Sequence, residues 1–185
     1  MVYGEIMNVI MPLADGFEET EAVTVIDILR RAGIGVTTAA LQSSIVESAR
    51  KIRMMADAKL ESVNEKEYDA IVLPGGSLGV ENLRKSKRIM KIVQEFHKEG
   101  KLVAAICAAP SILAEAGILE NVRATIYPGM ERSLPKPRGD SVVIDGNVIT
   151  SQGPGTAMEF SLRLVERLAG REAMNAIREQ VVYKG

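Results

Sequence analysis

Cys107 is the only cysteine of the chain, and it lies in the apolar stretch LVAAICAAPSILAEAGIL at residues 102–119. The residues two positions before it and two positions after it, Ala105 and Ala109, are small, and Pro110 follows. A nucleophile elbow, the strained turn between a strand and a helix, needs small residues at these positions, and proline is favourable in a first helical turn. The positive end of a helix favours the reactive thiolate. A lone cysteine more often packs in the hydrophobic core without a reactive role. The small residues on both sides of Cys107 and the helix that follows it favour a reactive thiol instead.

An acid is the second group that thiol chemistry needs, and the loop after the first apolar run supplies three candidates. Glu18, Glu19 and Glu21 occur where the chain enters a helix. Acidic residues in a first turn are usually explained by the helix dipole, which accounts for two of the three. The third is available to face Cys107, where burial would raise the pKa of the carboxyl and keep it protonated as a donor to a thiolate. The spacing does not choose among them.

Backbone donors are predicted in PGGSLG at residues 74–79. Gly75 and Gly76 have no side chains, so their N–H groups can approach a bound oxyanion together with the N–H of Ala108. Two adjacent glycines are also common in ordinary loops. No glycine-rich phosphate-binding motif is present, so nucleotide binding is not predicted.

His97 is the only histidine of the chain, and it precedes the strand that leads to Cys107. Its position beside Phe96 predicts a residue at the rim of a buried helix face. Cysteine hydrolases and glutamine amidotransferases pair their cysteine with a histidine base. No such pair is visible here, which argues against proteolysis and amide transfer.

The composition predicts one globular domain over residues 1–185, because 46% of the residues are hydrophobic and 25% are charged. The 23 basic and 24 acidic residues leave a net charge of −1, so no nucleic-acid partner is expected. One cysteine builds neither a disulfide framework nor a cysteine-based zinc site. Neither a signal peptide nor a membrane-spanning run is recognised. We therefore expect a cytoplasmic protein without membrane contact, metal or cofactor.

Strand-like and helix-like segments alternate along the chain. Strands are predicted at residues 6–13, 34–41, 68–73, 101–106 and 122–128, with a hairpin at 142–150 and one or two short strands within 45–60. Helices are predicted at residues 20–32, 89–96, 109–117 and 157–170, the last with Thr156 as a plausible N-cap. This alternation predicts an α/β fold, a mostly parallel sheet with helices on both faces. Ligands of such sheets bind at the carboxyl ends of the strands, where the loops described above lie.

Four segments together resemble the ThiJ/PfpI superfamily: DGFEETEAVTVIDILRRAGI, DAIVLPGGSLGVENL, VAAICAAPSILAEAGIL and TSQGPGTAMEF. They are most similar to the branch that contains the Parkinsonism-associated deglycase and its bacterial chaperone-like relatives. The resemblance covers nearly the whole chain. It implies a flavodoxin-like three-layer sandwich, a nucleophile elbow that carries an oxidation-prone cysteine, and a homodimer.

The resemblance also assigns roles to residues. Cys107 matches the reactive cysteine of the family, and Glu21 matches its conserved acid. Gly75 and Gly76 match its oxyanion glycines, with Ala108 beside them as a further backbone donor.

Further positions are expected around this centre. Tyr127 and Pro154 are expected to line the site. Arg50 matches an arginine near the family's dimer interface, where it would pair with acids such as Glu18 or Asp27.

The chain departs from the family pattern at three positions. Ala109 stands where many members have glycine, and alanine is still small enough for the elbow. Tyr127 stands where some members place a histidine near the thiol, and a phenol is a poor base near neutral pH. Ala108 stands where the protease-like branch has a histidine. Peptidase activity is therefore not favoured.

The resemblance implies a cofactor-free enzyme whose substrate is a small carbonyl compound. In this interpretation Cys107 and Glu21 act on 2-oxoaldehydes such as methylglyoxal, or on their protein adducts, as in a glyoxalase III-like lyase or a deglycase. The alternative is an oxidative-stress sensor or chaperone-like protein that works through oxidation of Cys107. A third interpretation is an intracellular peptidase or amidase, but the sequence shows no histidine base to pair with Cys107.

Overall fold

The computed structural model describes residues 7–185, in which nine strands and six α-helices are found. The strands are β1 (Asn8–Leu13), β2 (Gly35–Ala40), β3 (Ile45–Glu47), β4 (Arg53–Met55), β5 (Ala58–Lys59), β6 (Ala70–Leu73), β7 (Leu102–Ile106), β8 (Val142–Asp145) and β9 (Val148–Ser151). The helices are α1 (Glu19–Arg31), α2 (Ser77–Arg84), α3 (Lys87–Lys98), α4 (Pro110–Glu115), α5 (Ala157–Ala169) and α6 (Arg171–Gln180).

Seven strands form one sheet in the order β5-β2-β1-β6-β7-β9-β8. All neighbouring pairs are parallel except β8 and β9, which form an antiparallel hairpin at one edge. β6 and β7 are buried along their whole length, as is typical of central strands covered on both faces. The strand order reverses between β1 and β6, which places the predicted binding edge at the loops that follow these strands.

Helices cover both faces of the sheet. The apolar side chains of α1, α5 and α6 share one buried cluster with Val9, Met11 and Val72 of the strands. The apolar side chains of α2, α3 and α4 share a second cluster with Ile10, Ile71 and other residues that point to the opposite face. Because strand side chains alternate between faces, the sheet contributes to both clusters. The α/β, three-layer fold with a mostly parallel sheet is therefore confirmed.

The segment at residues 122–128 is not the strand that its apolar residues predict. Only an isolated bridge joins Ala124 to Pro137. Both edges of β9 are already occupied, by β7 and by β8. The segment instead contacts β9 through a side chain, because the N–H of Thr125 donates to Oγ1 of Thr150 at 2.9 Å.

Three further segments differ from the expectations. The last part of PGGSLG, residues 77–79, begins α2, although the segment has loop-like glycines. A further helix that was not predicted, α6, follows the glycine that ends α5. The ambiguous stretch 45–60 contains three short strands, of which β3 and β4 pair as an antiparallel hairpin. Among residues 7–185, no helix combines the length and apolarity that crossing a membrane requires.

Candidate active site

Cys107 lies on a strained turn directly after β7. Its φ of 63° is in the left-handed region, which residues with a side chain rarely adopt. Main-chain hydrogen bonds hold this conformation: the N–H of Cys107 donates to the carbonyl of Ser151 at 2.9 Å, and its carbonyl accepts from the N–H of Tyr127 at 2.9 Å. Strain of this kind persists only where the surroundings over-determine it. The turn has the form expected of a nucleophile elbow.

Glu21 lies in the first turn of α1, and its side chain is 0% exposed. Its Oε2 accepts a hydrogen bond of 2.7 Å from the N–H of Gly75. Its Oε1 is buried without a hydrogen-bond partner among the described residues. The carboxyl interacts directly with the thiol of Cys107. Of the three acids considered, Glu21 is therefore the one that meets the sulfur.

Gly75 separates the acid from the thiol, and no other residue fits there. A Cβ atom added to Gly75 would lie 2.5 Å from the Cβ of Cys107 and 2.5 Å from Oε2 of Glu21. Both distances are far shorter than van der Waals contact. The absence of a side chain is what lets the carboxyl and the thiol approach each other.

The electrostatics of the pair is dominated by burial. Loss of solvent raises the pKa of the Glu21 carboxyl from its ordinary 4.5 to about 7. Burial, followed by the charge of Glu21, raises the pKa of the Cys107 thiol to about 12. The N–H groups of Gly76 and Ala108 donate to the sulfur and oppose this rise.

The expectation that the helix start holds Cys107 as a thiolate needs correction. The local donors lower the pKa of the thiol, but burial and the adjacent carboxyl outweigh them. Below pH 7 both groups hold their protons. Above it, the pair carries one negative charge, and a second ionisation beside the first is strongly disfavoured.

The three predicted backbone donors are divided between two acceptors. Gly76 and Ala108 direct their N–H groups to the sulfur. The N–H of Gly75 is bound by Glu21 instead, so it is not free for a substrate oxygen. Gly76 has a φ of 93°, and a side chain there would collide with the main chain around Gly16.

An open cleft of about 970 Å³ lies above Cys107. Among the residues expected around the site, Tyr127, Pro154, Glu18 and Arg50 line this cleft with Gly76 and Ala108. The cleft wall also contains residues that sequence reasoning did not single out, among them Ser77, Leu78, Met130 and Ile45. These come from loops and short elements without periodic patterns, so no local signal identifies them. Glu21 is not on the wall and lies beneath the thiol.

Arg50 has no ion-pair partner within residues 7–185 of the single chain. Asp27, one of its expected partners, pairs with Arg31 of the same helix at 2.7 Å and does not line the cleft. A pair between Arg50 and Glu18 or Asp27 is therefore not made within one chain.

His97 lies near the end of α3, just before β7 begins, whereas Cys107 follows the end of β7. A five-residue strand spans about 16 Å, so the two side chains lie at opposite ends of the parallel strands. No Cys–His pair is formed within the chain. Across residues 7–185, no three His, Cys, Asp or Glu side chains come together as a set of metal ligands.

Glu21→Gln is expected to change how stability depends on pH. Because the folded protein binds a proton at Glu21 that the unfolded chain releases, folding stability falls as pH rises from 4.5 to about 7. The uncharged amide removes this loss, so the variant should gain up to about 3 kcal/mol over wild type at pH 8, and little at pH 4.5.

Urea unfolding at both pH values measures the difference. Glu120→Gln, which changes an exposed acid, serves as the control. An equal effect of Glu21→Gln at the two pH values would contradict a raised pKa.

Known proteins are similar to this chain in sequence and in fold. The DJ-1/PfpI family matches residues 7–167. Protein DJ-1 homolog B of Arabidopsis thaliana is 42% identical over 170 residues, which are 89% of this chain and 39% of that protein. The chain thus spans less than half the length of that relative. A glutathione-independent glyoxalase of Caenorhabditis elegans is 37% identical over 91% of each chain.

The solved structure of oxidized Toxoplasma gondii DJ-1 superposes with a TM-score of 0.93 at 36% identity, and the match covers 97% of this chain and 100% of that one. The family match at residues 7–167 spans all nine strands and includes Glu21, Gly75 and Cys107. The chain belongs to the DJ-1/PfpI family.

Proposed function

We propose that this protein is a cofactor-free glyoxalase that converts 2-oxoaldehydes such as methylglyoxal, or their early adducts on proteins, into 2-hydroxy acids. The main observation that supports this proposal is the buried contact between Glu21 and Cys107 at the floor of an open cleft. A carboxyl with a pKa of about 7 both accepts and donates protons at neutral pH. The relative named as a glutathione-independent glyoxalase supports the same chemistry.

The first step is addition of the thiol to the aldehyde. The Cys107 proton passes to the Glu21 carboxylate, and the sulfur forms a bond to the aldehyde carbon while the carbonyl electron pair moves to oxygen. The N–H groups of Gly76 and Ala108, which donate to the sulfur in the free protein, are the donors available to this oxygen. Protonation of the oxygen by Glu21 completes a hemithioacetal.

The second step is an internal redox exchange between adjacent carbons. Glu21 removes the proton on the former aldehyde carbon and returns it to the neighbouring ketone carbon, and the hydroxyl proton moves to the former ketone oxygen. The first carbon is oxidised and the second is reduced, so no external oxidant is needed. Water then hydrolyses the resulting thioester, which releases a 2-hydroxy acid and restores the thiol.

Cys107→Ala is expected to lower methylglyoxal turnover by at least about 10³-fold, because no covalent intermediate can form. Glu21→Gln is expected to lower kcat by about 10² to 10⁴-fold, because the amide cannot carry the proton between carbons. Lactate formation followed by NMR measures both. Glu120→Gln should keep the wild-type rate, and a Cys107→Ala protein that still forms lactate would overturn the proposal.

The second candidate function is sensing of oxidants through Cys107. The thiol is partly exposed at the cleft and lies beside a carboxyl that can donate a hydrogen bond to an oxidised sulfur. The Toxoplasma gondii relative, described as oxidized, supports this chemistry. A peptidase or amidase function has less support, since His97 precedes the start of β7 and Cys107 follows its end. Either thiol-based function suits a reducing compartment such as the cytoplasm.

Mild peroxide is expected to add two oxygen atoms to Cys107, giving the sulfinic acid. Peptide mass spectrometry localises the modification, which is necessary because exposed methionines such as Met55 also oxidise. The Cys107→Ala protein provides the background from methionine oxidation. A thiol that remains unmodified would remove the sensing function and weaken the enzymatic one.

A homodimer is the assembly that we propose for the chain. Exposed apolar side chains occur on α1 and on the hairpin of β3 and β4, namely Val23, Ile45, Ile52 and Met55. Contiguous exposed apolar patches commonly mark an interface, and we propose that these side chains form one such patch, which a two-fold symmetric pair covers on both copies. Arg50, which has no ion-pair partner among residues 7–185, lies between β3 and β4 of the same hairpin and is available to the acids of a second copy.

Met55→Asp is expected to shift the assembly toward monomer, because it places a charge in the proposed interface. Met55 is 73% exposed in the single chain, so the substitution leaves the core unchanged. Sedimentation velocity measures the mass. Val182→Asp, at a side chain of similar exposure near the C-terminus, is the control, and equal sedimentation of both variants with wild type would contradict this interface.

A further inference from the structure

A chain of two hydrogen bonds supports the elbow from behind. The hydroxyl of Ser111, in the first turn of α4, donates to the carbonyl of Ala108 at 2.7 Å. The same hydroxyl accepts from Nη2 of Arg84, the last residue of α2, at 2.7 Å. Ser111 is buried, so these bonds are not exchanged freely with water.

Ala108 connects these two hydrogen bonds to the sulfur of Cys107. Its N–H donates to Cys107, and its carbonyl is the group that Ser111 holds. The N–H of Ser111 also donates to that carbonyl, at 3.2 Å. The carbonyl and the N–H of Ala108 belong to neighbouring peptide groups that are joined at its Cα atom. Holding the carbonyl therefore restricts rotation about the Ala108 backbone, and this restricts how far its N–H can turn away from the sulfur.

The Arg84 guanidinium is itself held at two places. Its Nε pairs with Oε2 of Glu115 at 3.0 Å, while Nη2 binds Ser111. A planar guanidinium bound on two sides has a fixed orientation. A hydrogen bond from a charged donor also polarises the hydroxyl that accepts it. This strengthens the hydrogen bond that the Ser111 hydroxyl donates to the carbonyl of Ala108.

We propose that Arg84 and Ser111 are positioning residues, which hold the Ala108 amide in the direction needed to stabilise negative charge at Cys107. The proposal rests on the proposed function, since the charge is that of the attacking thiolate and of the oxyanion that follows it. Donors that are already oriented need no reorganisation when the charge forms. Neither residue touches the cleft above Cys107.

The test compares Arg84→Met, Ser111→Ala and Ser111→Thr. Arg84→Met keeps an apolar stem and removes the donor, and because Arg84 is partly exposed the protein is expected to fold. We expect kcat for methylglyoxal to fall about 10-fold with KM unchanged in Arg84→Met and in Ser111→Ala. Ser111→Thr keeps the hydroxyl and should retain most of the rate. The double variant should be no worse than Ser111→Ala alone, because both residues act through one carbonyl.

Alkylation of Cys107 by iodoacetamide gives a readout that does not depend on turnover. Its pH–rate curve should move to higher pH by about half to one unit in Arg84→Met, because the thiolate loses an oriented donor. Arg132→Met is the matched control, since Arg132 lines the same surface groove as Arg84 and makes no hydrogen bond to Ser111. Its curve should coincide with that of wild type.

The proposal is overturned if the alkylation curve of Arg84→Met coincides with that of wild type, or if Ser111→Thr is as impaired as Ser111→Ala. A wild-type protein without methylglyoxal turnover would remove the proposed function instead. In that case a displaced alkylation curve for Arg84→Met would still establish the positioning role toward the thiol.

Discussion

A carboxyl group and a thiol that are buried against each other can hold one negative charge between them, and the architecture around Cys107 follows from this constraint. Burial keeps the proton on Glu21 up to about pH 7, while the sulfur receives the two N–H groups that stabilise a thiolate. Contact between the two groups requires a residue without a side chain between them, which is Gly75. The pair therefore works as a unit in which moving one proton changes the location of the charge but not its amount.

The sheet brings the three parts of this unit together by strand order. β1, β6 and β7 are adjacent, and the segments that follow them contain Glu21, at the start of α1, together with Gly75 and Cys107. These residues are far apart along the chain, yet parallel strands end at the same edge and deliver them to one place. The hydrogen bonds around the elbow come from other elements as well, since Ser151 ends β9. The strand order thus brings these residues close together, and the segments that follow the strands contribute the reactive groups.

Much of this arrangement is predictable from local sequence, and the exceptions have physical causes. Small residues around Cys107 predict the elbow, and alternating apolar runs predict the parallel sheet. The choice of Glu21 among three acids follows only from family resemblance, because side-chain direction in a first turn depends on tertiary packing. The direction of the pKa shift at Cys107 depends on burial that a local pattern does not contain. Residues 122–128 have strand-like composition, but no sheet edge is free to pair with them.

Tyr127 contributes to the elbow and to the cleft through different atoms. Its N–H holds the carbonyl of Cys107, while its ring packs beside Gly153 and is 48% exposed. Any amino acid other than proline can make the main-chain bond. The side chain at this position can therefore be exchanged during evolution for an imidazole or an aliphatic group, which changes the wall of the cleft, while the main-chain bond that holds the strained turn is retained.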